Sequence, residues 1–233
     1  MADTLFLVEE TAPGVYGLPP AEWNHAVKVL RVRQGDVLEC TDGAGQLFKG
    51  RFHASGEIVR EEEMIHPGLP LPLHLYVSPT RQPDRLEWML EKSVELGLGH
   101  FSPLLCERTQ AFRLKADRLQ SIALAAMKQS KRVYLPRVYP AIPLQQALSS
   151  ATKDALFMAT CAGEIQKVKP TQAWKTLPFL HVFIGPEGDF TPAEIHMAQD
   201  IGAVFLDLGQ ARLRTETAGL SVVHFLHHLH TFL

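Results

Sequence analysis

Short apolar runs alternate with amphipathic helical patterns through the C-terminal two thirds of the chain, and this alternation constrains the fold most. The runs at residues 73–77, 180–184 and 204–208 have the length and composition of buried strands. Residues 84–96 and 117–131 carry apolar side chains at helical spacing. Strands that alternate with helices usually pair in parallel, so the sequence predicts an α/β domain with a mainly parallel sheet.

The first part of the chain is β-rich instead. Strand-like residues flank the DGAG segment at residues 42–45, which predicts a hairpin turn because glycine tolerates the positive φ that such turns need. Prolines crowd residues 67–72, a composition typical of an extended linker. We therefore predict two domains, residues 1–68 and 73–233.

Two loops near the C-terminus carry most of the chemistry. Each follows a predicted strand and leads into a helical pattern: residues 184–190 are IGPEGDF, and residues 208–218 are LGQARLRTETA. In a parallel sheet such loops meet at the carboxyl ends of the strands and form a ligand crevice. Glu187 and Asp189 would repel a phosphate group, and the chain contains neither GxxxxGKS/T nor GxGxxG. We expect a ligand with hydroxyls, an amide-like ring edge or positive charge.

Two arginines, Arg212 and Arg214, stand just before a predicted helix that opens with Thr215 and Glu216. Threonine and an acidic residue suit a helix N-terminus, whereas arginine is unfavourable beside the positive end of the helix dipole. Residues that go against local preference tend to mark functional sites. We therefore interpret these arginines as ligands of an RNA phosphate or of a carbonyl oxygen.

Charge is unevenly distributed along the chain. The formal net charge is -2, but residues 106–137 contain eight basic and two acidic side chains, a local excess of six positive charges. Such a basic strip can follow an RNA backbone, although on charge alone a solvated helix face is the better interpretation.

Other features exclude several protein classes. Three cysteines, far apart and without a CxxC pair, favour a reduced cytoplasmic setting and no zinc module. No apolar run approaches membrane-spanning length, and the N-terminal residues lack the basic segment of a signal peptide. His224 and His228 have metal-ligand spacing, but no carboxylate accompanies them, so we expect an interface helix and no metal. The sequence thus predicts a cytoplasmic protein without a membrane contact.

The two late motifs resemble the C-terminal signature of RsmE-type 16S ribosomal RNA methyltransferases, members of the SPOUT class. Residues 25–36 resemble that family's PUA-like β-barrel, residues 85–97 the first helix of its catalytic domain, and residues 126–136 its basic helix. Lys128 stands where many members carry glutamate, and Asp189 replaces a frequent glycine. The surrounding pattern is kept, which indicates a subgroup rather than a different function.

The resemblance implies both a fold and a reaction. The implied fold is a trefoil-knotted, mainly parallel sheet with helices on both faces, preceded by a small PUA-like β-barrel. The implied activity is methyl transfer from S-adenosylmethionine to N3 of one uridine in 16S rRNA, within the 30S subunit, by a homodimer. The donor-binding residues that the resemblance implies are Ala159, Thr160, Gly185, Pro186, Glu187, Gly188, Leu208, Gly209, Arg212 and Leu213.

The acceptor chemistry suggests further roles. N3 of uracil carries a proton between two carbonyl groups, and this proton must leave before N3 attacks a methyl group. We expect Arg214 to stabilise the resulting negative charge, and Glu216 either to accept the proton or to orient Arg214. The residues expected to contact RNA phosphates are Lys28, Arg31 and Arg33 in the first domain, and Arg108, Lys131 and Arg132 in the basic strip.

Three other functions remain compatible with the sequence. The first is a SPOUT methyltransferase that acts on another RNA, such as tRNA. The second is a non-catalytic RNA-binding ribosome assembly factor, which the intact late motifs disfavour. The third is a small-molecule enzyme with another cofactor, which the missing phosphate-binding loops disfavour most.

Overall fold

A computed structural model describes residues 4–65, 68–110, 115–152, 155–163, 165–170, 174 and 177–232. Pro67 of the predicted linker and Arg113 of the basic strip lie outside the described residues. The chain forms two compact units. The first unit comprises Met1–Leu69 and Leu124–Leu135, and the second comprises Pro70–Ala123 and Pro136–Leu233.

The described strands of the first unit form one sheet with the order β1-β4-β5-β6-β3-β2. β1 and β4 are parallel, and every other neighbouring pair is antiparallel. The strands are β1 (Leu5–Leu7), β2 (Glu9–Ala12), β3 (Val15–Gly17), β4 (Val37–Thr41), β5 (Leu47–Phe52) and β6 (Glu57–Glu63). Helix α1 (Pro20–Asn24) runs directly into a π-helix at His25–Val29.

The chain connectivity requires this sheet to curl. β1 and β2 lie at opposite edges of the sheet, yet Val8 alone connects them. One extended residue spans only about 3.3 Å, so the two edges must approach each other. The curled sheet encloses a core of buried apolar side chains that includes Phe6, Tyr16, Phe48 and Ile58.

The predicted hairpin is confirmed between β4 and β5. The turn contains Gly43 at φ 72° and Gly45 at φ 122°, backbone conformations that side chains disfavour. Asp42 Oδ1 accepts hydrogen bonds from the backbone N–H groups of Ala44 and Gln46, at 2.8 and 3.0 Å. An aspartate that bonds the backbone ahead of it stabilises this kind of turn.

The segment Leu124–Leu135 contributes two ion pairs to the first unit. Lys128 Nζ lies 2.7 and 2.8 Å from the two carboxylate oxygens of Glu22, a residue that is only 6% exposed. Lys131 Nζ lies 2.8 Å from Glu39 Oε2. The lysine at 128, where the resembling family often has glutamate, therefore has a complementary partner in this chain.

The described strands of the second unit form a parallel sheet with the order β10-β8-β7-β12-β11-β13, and β9 also pairs with β8. Its strands are β7 (Leu71–Val77), β8 (Leu98–Leu105), β9 (Arg137–Val138), β10 (Ile142–Pro143), β11 (Leu156–Ala159), β12 (Leu180–Ile184) and β13 (Val204–Leu206). The helices are α2 (Pro83–Glu95), α4 (Leu144–Ser150), α5 (Pro192–Asp200) and α6 (Thr215–Phe232), together with the start of α3 (Ala116–Gln129), whose residues from Leu124 onward belong to the first unit. The predicted α/β architecture is confirmed.

Helices cover both faces of the parallel sheet. Tyr76 points into an apolar cluster with α4 and α5, whereas the next residue, Val77, points to the opposite face. There a Cβ added to Gly219 of α6 would lie 3.5 Å from Val77 and 2.5 Å from Met89 Sδ of α2. Because Gly219 has no side chain, α6 can approach α2 and β7 closely. Among the helices of the described residues, none is long and apolar enough to cross a membrane.

Because the strands are parallel, the loops that follow β7, β8, β11, β12 and β13 open on one edge of the sheet, here called the carboxyl edge. At this edge α5 begins with a capping box: Thr191 accepts from the N–H of Glu194, and Glu194 accepts from the N–H of Thr191. Pro192 occupies the first helical turn, where its missing N–H costs no hydrogen bond.

Candidate functional site

A cavity of about 1000 Å³ lies at the carboxyl edge of the second unit. The loops after β11, β12 and β13 form most of its lining, which is where the sequence predicts the ligand crevice. The predicted donor-binding residues that line it are Ala159, Thr160, Gly185, Pro186, Glu187, Leu208, Gly209, Arg212 and Leu213.

Asp189 joins the loop after β12 to the loop after β11. Its Oδ2 accepts hydrogen bonds from Thr160 Oγ1 and from the backbone N–H of Cys161, both at 2.8 Å. Its Oδ1 accepts from the N–H of Phe190 at 2.9 Å. The residue has φ 61°, the left-handed region where glycine is usual and aspartate is tolerated. An aspartate at this position keeps the turn and adds a bridge across the cavity wall.

Gly185 is confined from two sides. A Cβ at this position would lie 2.9 Å from the ring of Phe190, so a larger residue would displace that ring. The carbonyl of Gly185 accepts a hydrogen bond from Thr215 Oγ1 at 3.1 Å. This contact ties the end of β12 to the first residue of α6.

Gly188 differs from the other predicted donor-binding residues, because it is not among the residues that line the cavity. Its carbonyl accepts a hydrogen bond from Arg108 Nη1 at 2.7 Å, and the same nitrogen lies 3.5 Å from the carbonyl of Phe190. Arg108, which the sequence analysis assigned to RNA, thus braces the loop after β12.

The two predicted catalytic residues occupy different environments. Arg214 is exposed and lines the cavity. Glu216 is 8% exposed, does not line the cavity, and accepts a hydrogen bond at Oε1 from Arg85 Nη1 at 3.2 Å. The carboxylate that the sequence analysis paired with Arg214 therefore holds Arg85.

The structure adds three charged residues that the sequence analysis did not select. Arg85, Lys167 and Asp207 all line the cavity. Asp207 Oδ1 accepts from the N–H of Gly209 at 2.9 Å, and Gly209 has φ 112°. The position of Asp207, directly before the second late motif, is a signal that could have identified it.

The predicted RNA-contacting residues of the first unit also differ in environment. Lys28, Arg31 and Arg33 are exposed at the end of the π-helix and in the turn that follows it. Lys131 is held by Glu39. Arg132 is half-buried, and this burial lowers the pKa of its guanidinium. The side chains of the first three residues are therefore more accessible than those of Lys131 and Arg132.

The described part of the chain contains no cluster of three or more His, Cys, Asp or Glu side chains that could hold a metal ion. The polar groups of the cavity are instead carboxylates, guanidiniums, an ammonium and backbone amides. Such a set binds an organic ligand that carries charges of both signs.

Two family models match the chain. Residues 67–227 match a model described as an RNA methyltransferase domain, and residues 18–57 match one described as an RNA methyltransferase PUA domain.

Individual relatives agree with these models. The ribosomal RNA small subunit methyltransferase E of Bacillus subtilis is 30% identical over 91% of this chain and 88% of that protein. The crystal structure of a probable rRNA methyltransferase from Porphyromonas gingivalis has a TM-score of 0.82 at 33% identity, and covers 97% of this chain and 98% of its own.

A third relative was solved with a ligand. The ribosomal RNA small subunit methyltransferase E of Neisseria gonorrhoeae, bound to S-adenosylmethionine, has a TM-score of 0.84 at 28% identity, and the match covers 97% of each chain. Both the sequence and the fold thus match these proteins over nearly their full length. The chain belongs to the RNA methyltransferase family that includes the ribosomal RNA small subunit methyltransferase E proteins.

Proposed function

We propose that this protein transfers a methyl group from S-adenosylmethionine to a uridine of the small-subunit ribosomal RNA. The observation that carries the proposal is the convergence of both late motifs, residues 184–190 and 208–214, on one cavity at the carboxyl edge. The S-adenosylmethionine bound to the Neisseria gonorrhoeae relative supports the same donor here.

The lining of the cavity fits this donor. S-adenosylmethionine carries a sulfonium and an ammonium, and Glu187 and Asp207 provide carboxylates that complement them. Its carboxylate and its adenosine have matching groups in Lys167 and in the backbone of the loop at Gly209. When bound, the donor supplies an electrophilic methyl group: the bond from this carbon to N3 forms while its bond to sulfur breaks, and that electron pair stays on sulfur.

For the acceptor atom we propose N3 of uracil. Its proton passes to solvent water at the open mouth of the cavity before N3 attacks, and the negative charge that remains is shared with the two flanking carbonyl oxygens. Arg214 lines the cavity and is exposed, so its guanidinium can approach one of these oxygens. A cation at this position stabilises the charge as it develops.

We further propose that the substrate is 16S rRNA within the 30S subunit, that the enzyme is a homodimer, and that it acts in the cytoplasm. Three free cysteines, Cys40, Cys106 and Cys161, support a reducing compartment. Lys28, Arg31 and Arg33 are exposed and would bind RNA phosphates without selecting a base.

The test combines purified protein, S-adenosylmethionine and 30S subunits from cells that lack the gene. We expect one methylated uridine in 16S rRNA by mass-spectrometric mapping, and donor binding by calorimetry. The Arg214→Ala variant should lose most of the activity. Arg118→Ala is the matched control, because Arg118 pairs with Glu87 on α2 and does not line the cavity.

Other outcomes would replace the proposal. Methylation of tRNA with unmodified 16S rRNA would identify a different RNA substrate. RNA binding without donor binding or methylation would identify an assembly factor. Methylation of the subunit at a base other than uracil would contradict the acceptor chemistry proposed above.

A further inference from the structure

We infer that Arg85, held in place by Glu216, binds a carbonyl oxygen of the acceptor base and stabilises the negative charge left when the N3 proton departs. This inference rests on the proposed function. It gives the reaction a second guanidinium besides Arg214, and it makes Glu216 a positioning residue rather than a proton acceptor.

The contacts of the pair support this division of roles. Arg85 lines the cavity and its side chain is 31% exposed, whereas the side chain of Glu216 is 10% exposed and lies behind it. Nη1 of Arg85 donates to Oε1 of Glu216 at 3.2 Å. Glu216 therefore touches the guanidinium but not the space in which a base can bind.

The second oxygen of Glu216 is an independent sign that the pair has a function. Within the described part of the chain, Oε2 is buried and makes no hydrogen bond. Buried carboxylate oxygens are normally satisfied, because desolvation without a partner costs free energy. A carboxylate in this state attracts the guanidinium of Arg85 and restricts where that guanidinium can lie.

The sheet order places Arg85 on the acceptor side of the cavity. The proposed donor residues follow β11, β12 and β13, whereas Arg85 lies in the first turn of α2, after β7. Neighbouring strands are about 4.8 Å apart, so β7 and β13, three steps apart, are separated by about 14 Å. The side of the cavity next to β7 is therefore the side farthest from the loop after β13, and we assign the base to it.

Arg214 belongs to this same side of the cavity. It lies two residues before Glu216, and Thr215 bonds the end of β12, the strand that neighbours β7. Uracil presents one carbonyl oxygen on each side of N3, so two guanidiniums on one side of the cavity match both oxygens. The N-termini of α2 and α6 add positive potential there, which favours the deprotonated base.

The experiment compares Arg85→Lys, Arg85→Met and the control Arg118→Met in single-turnover methylation of 30S subunits. We expect Arg85→Met to lower the rate by about 100-fold, the usual loss for one donor to a developing oxyanion, and Arg85→Lys to retain an intermediate rate. The affinity for S-adenosylmethionine, measured by calorimetry, should stay within about twofold of wild type for all variants, because Arg85 lies on the side of the acceptor. Arg118→Met should match wild type in both measurements.

A second readout separates charge stabilisation from a structural role. In RNA transcribed with 5-fluorouridine the N3 proton is more acidic, so the base needs less help to lose it. The defect of Arg85→Met and of Glu216→Gln should then shrink by about tenfold, and it should also shrink at higher pH. If a variant were slow because its fold was disturbed, its defect would be the same with 5-fluorouridine RNA and at higher pH.

The inference fails if Arg85→Met methylates at the wild-type rate, or if its defect is unchanged with 5-fluorouridine RNA and at higher pH. A defect confined to donor affinity would assign Arg85 to the donor instead and overturn the inference as well. These results differ from failure of the proposed function, in which wild-type protein itself would not methylate the subunit.

Discussion

Each unit of this protein contains an ion pair with a buried carboxylate, and the two pairs differ in how completely the carboxylate oxygens are hydrogen-bonded. In the first unit, Lys128 Nζ reaches both oxygens of Glu22, at 2.7 and 2.8 Å. In the second, Arg85 reaches one oxygen of Glu216 at 3.2 Å, and the other oxygen is buried without a hydrogen bond among the described residues. Neither Lys128 nor Glu22 is among the residues that line the cavity, whereas Arg85 of the incomplete pair lines it.

The difference shows that an ion pair can either stabilise the fold or position a side chain beside a substrate. A pair with every oxygen engaged fixes the fold, because removal of either partner leaves a buried charge alone. A pair with one oxygen unengaged is a poorer way to stabilise a fold and a better way to hold a guanidinium beside a substrate. Mutation of the first pair should therefore mainly lower the stability of the fold, whereas mutation of the second should mainly lower activity.

The largest effect is expected from Lys128→Met. It leaves the carboxylate of Glu22, a residue that is 6% exposed, without its partner, so we expect a loss of about 3–5 kcal/mol of unfolding free energy in urea. The double variant Lys128→Met/Glu22→Met should recover most of that loss, because replacement of both charges removes the desolvation cost. Arg85→Met should cost less, since it removes one hydrogen bond of 3.2 Å from Glu216, whereas Lys128→Met removes two shorter ones from Glu22. An equal loss for both single variants would show that the two pairs do not differ.

Buried histidines show a third way to accommodate a titratable group. His74 on β7 is in register with His181 on β12 and with His100 on β8. Its ring stacks on Tyr76 and Tyr139, at centroid distances of 4.0 and 4.9 Å, and its Nε2 lies 2.8 Å from Ser102 Oγ. Burial, and then repulsion by His100 and His181, lower the pKa of His74 to about 3. The second unit thus keeps this ring neutral instead of pairing it with an acid.

This neutral histidine should make the fold sensitive to acid. In the unfolded chain His74 binds a proton below about pH 6.5, but in the folded protein only near pH 3, so stability falls as the pH falls between these values. The slope should reach about 1.4 kcal/mol per pH unit for this group. His74→Gln should reduce the slope in urea unfolding from pH 7 to pH 4.

The sequence correctly predicted the elements that are determined by nearby residues, such as a turn motif or the spacing of apolar side chains. The DGAG hairpin forms as predicted, because short-range hydrogen bonds between Asp42 and the turn backbone decide its conformation. The apolar face of α2 is buried as its spacing indicated. Most of the predicted donor residues converge for a similar reason, since parallel strands bring their carboxyl ends together.

The remaining features depend on contacts between residues far apart in the chain. Arg85 and Glu216 are separated by 131 positions, so no local pattern indicated that they meet. The same holds for Arg108, whose partners are carbonyl groups near Gly188, 80 positions later. The charge pattern of the sequence cannot distinguish an arginine that hydrogen-bonds to a loop from one that is free to bind an RNA phosphate.

Asp189 provides a smaller test, within the second unit, of what a satisfied carboxylate contributes. Asp189→Gly keeps the φ of 61° without strain but removes the bridge to Thr160 and Cys161. We expect S-adenosylmethionine affinity to weaken by about tenfold, about 1.4 kcal/mol, because the loop must then be ordered by the ligand. Asp189→Asn keeps one acceptor oxygen, so its affinity for S-adenosylmethionine should lie between those of wild type and Asp189→Gly. Unchanged affinity in calorimetry for Asp189→Gly would show that the bridge does not shape the cavity.

The smallest effects are expected from surface cations of the first unit, where exposed side chains can be compared with one that is held in an ion pair. Lys28 and Arg33 are exposed, whereas Lys131 is held 2.8 Å from Glu39. A cation that replaces counterions on RNA steepens the salt dependence of binding, so Lys28→Ala and Arg33→Ala should each reduce the slope of log affinity against log salt by about one. Lys131→Ala should change it by less, because its charge is already partly neutralised. Equal reductions for Lys131 and Lys28, measured by RNA titration at several salt concentrations, would mean that RNA displaces Glu39 from its partner.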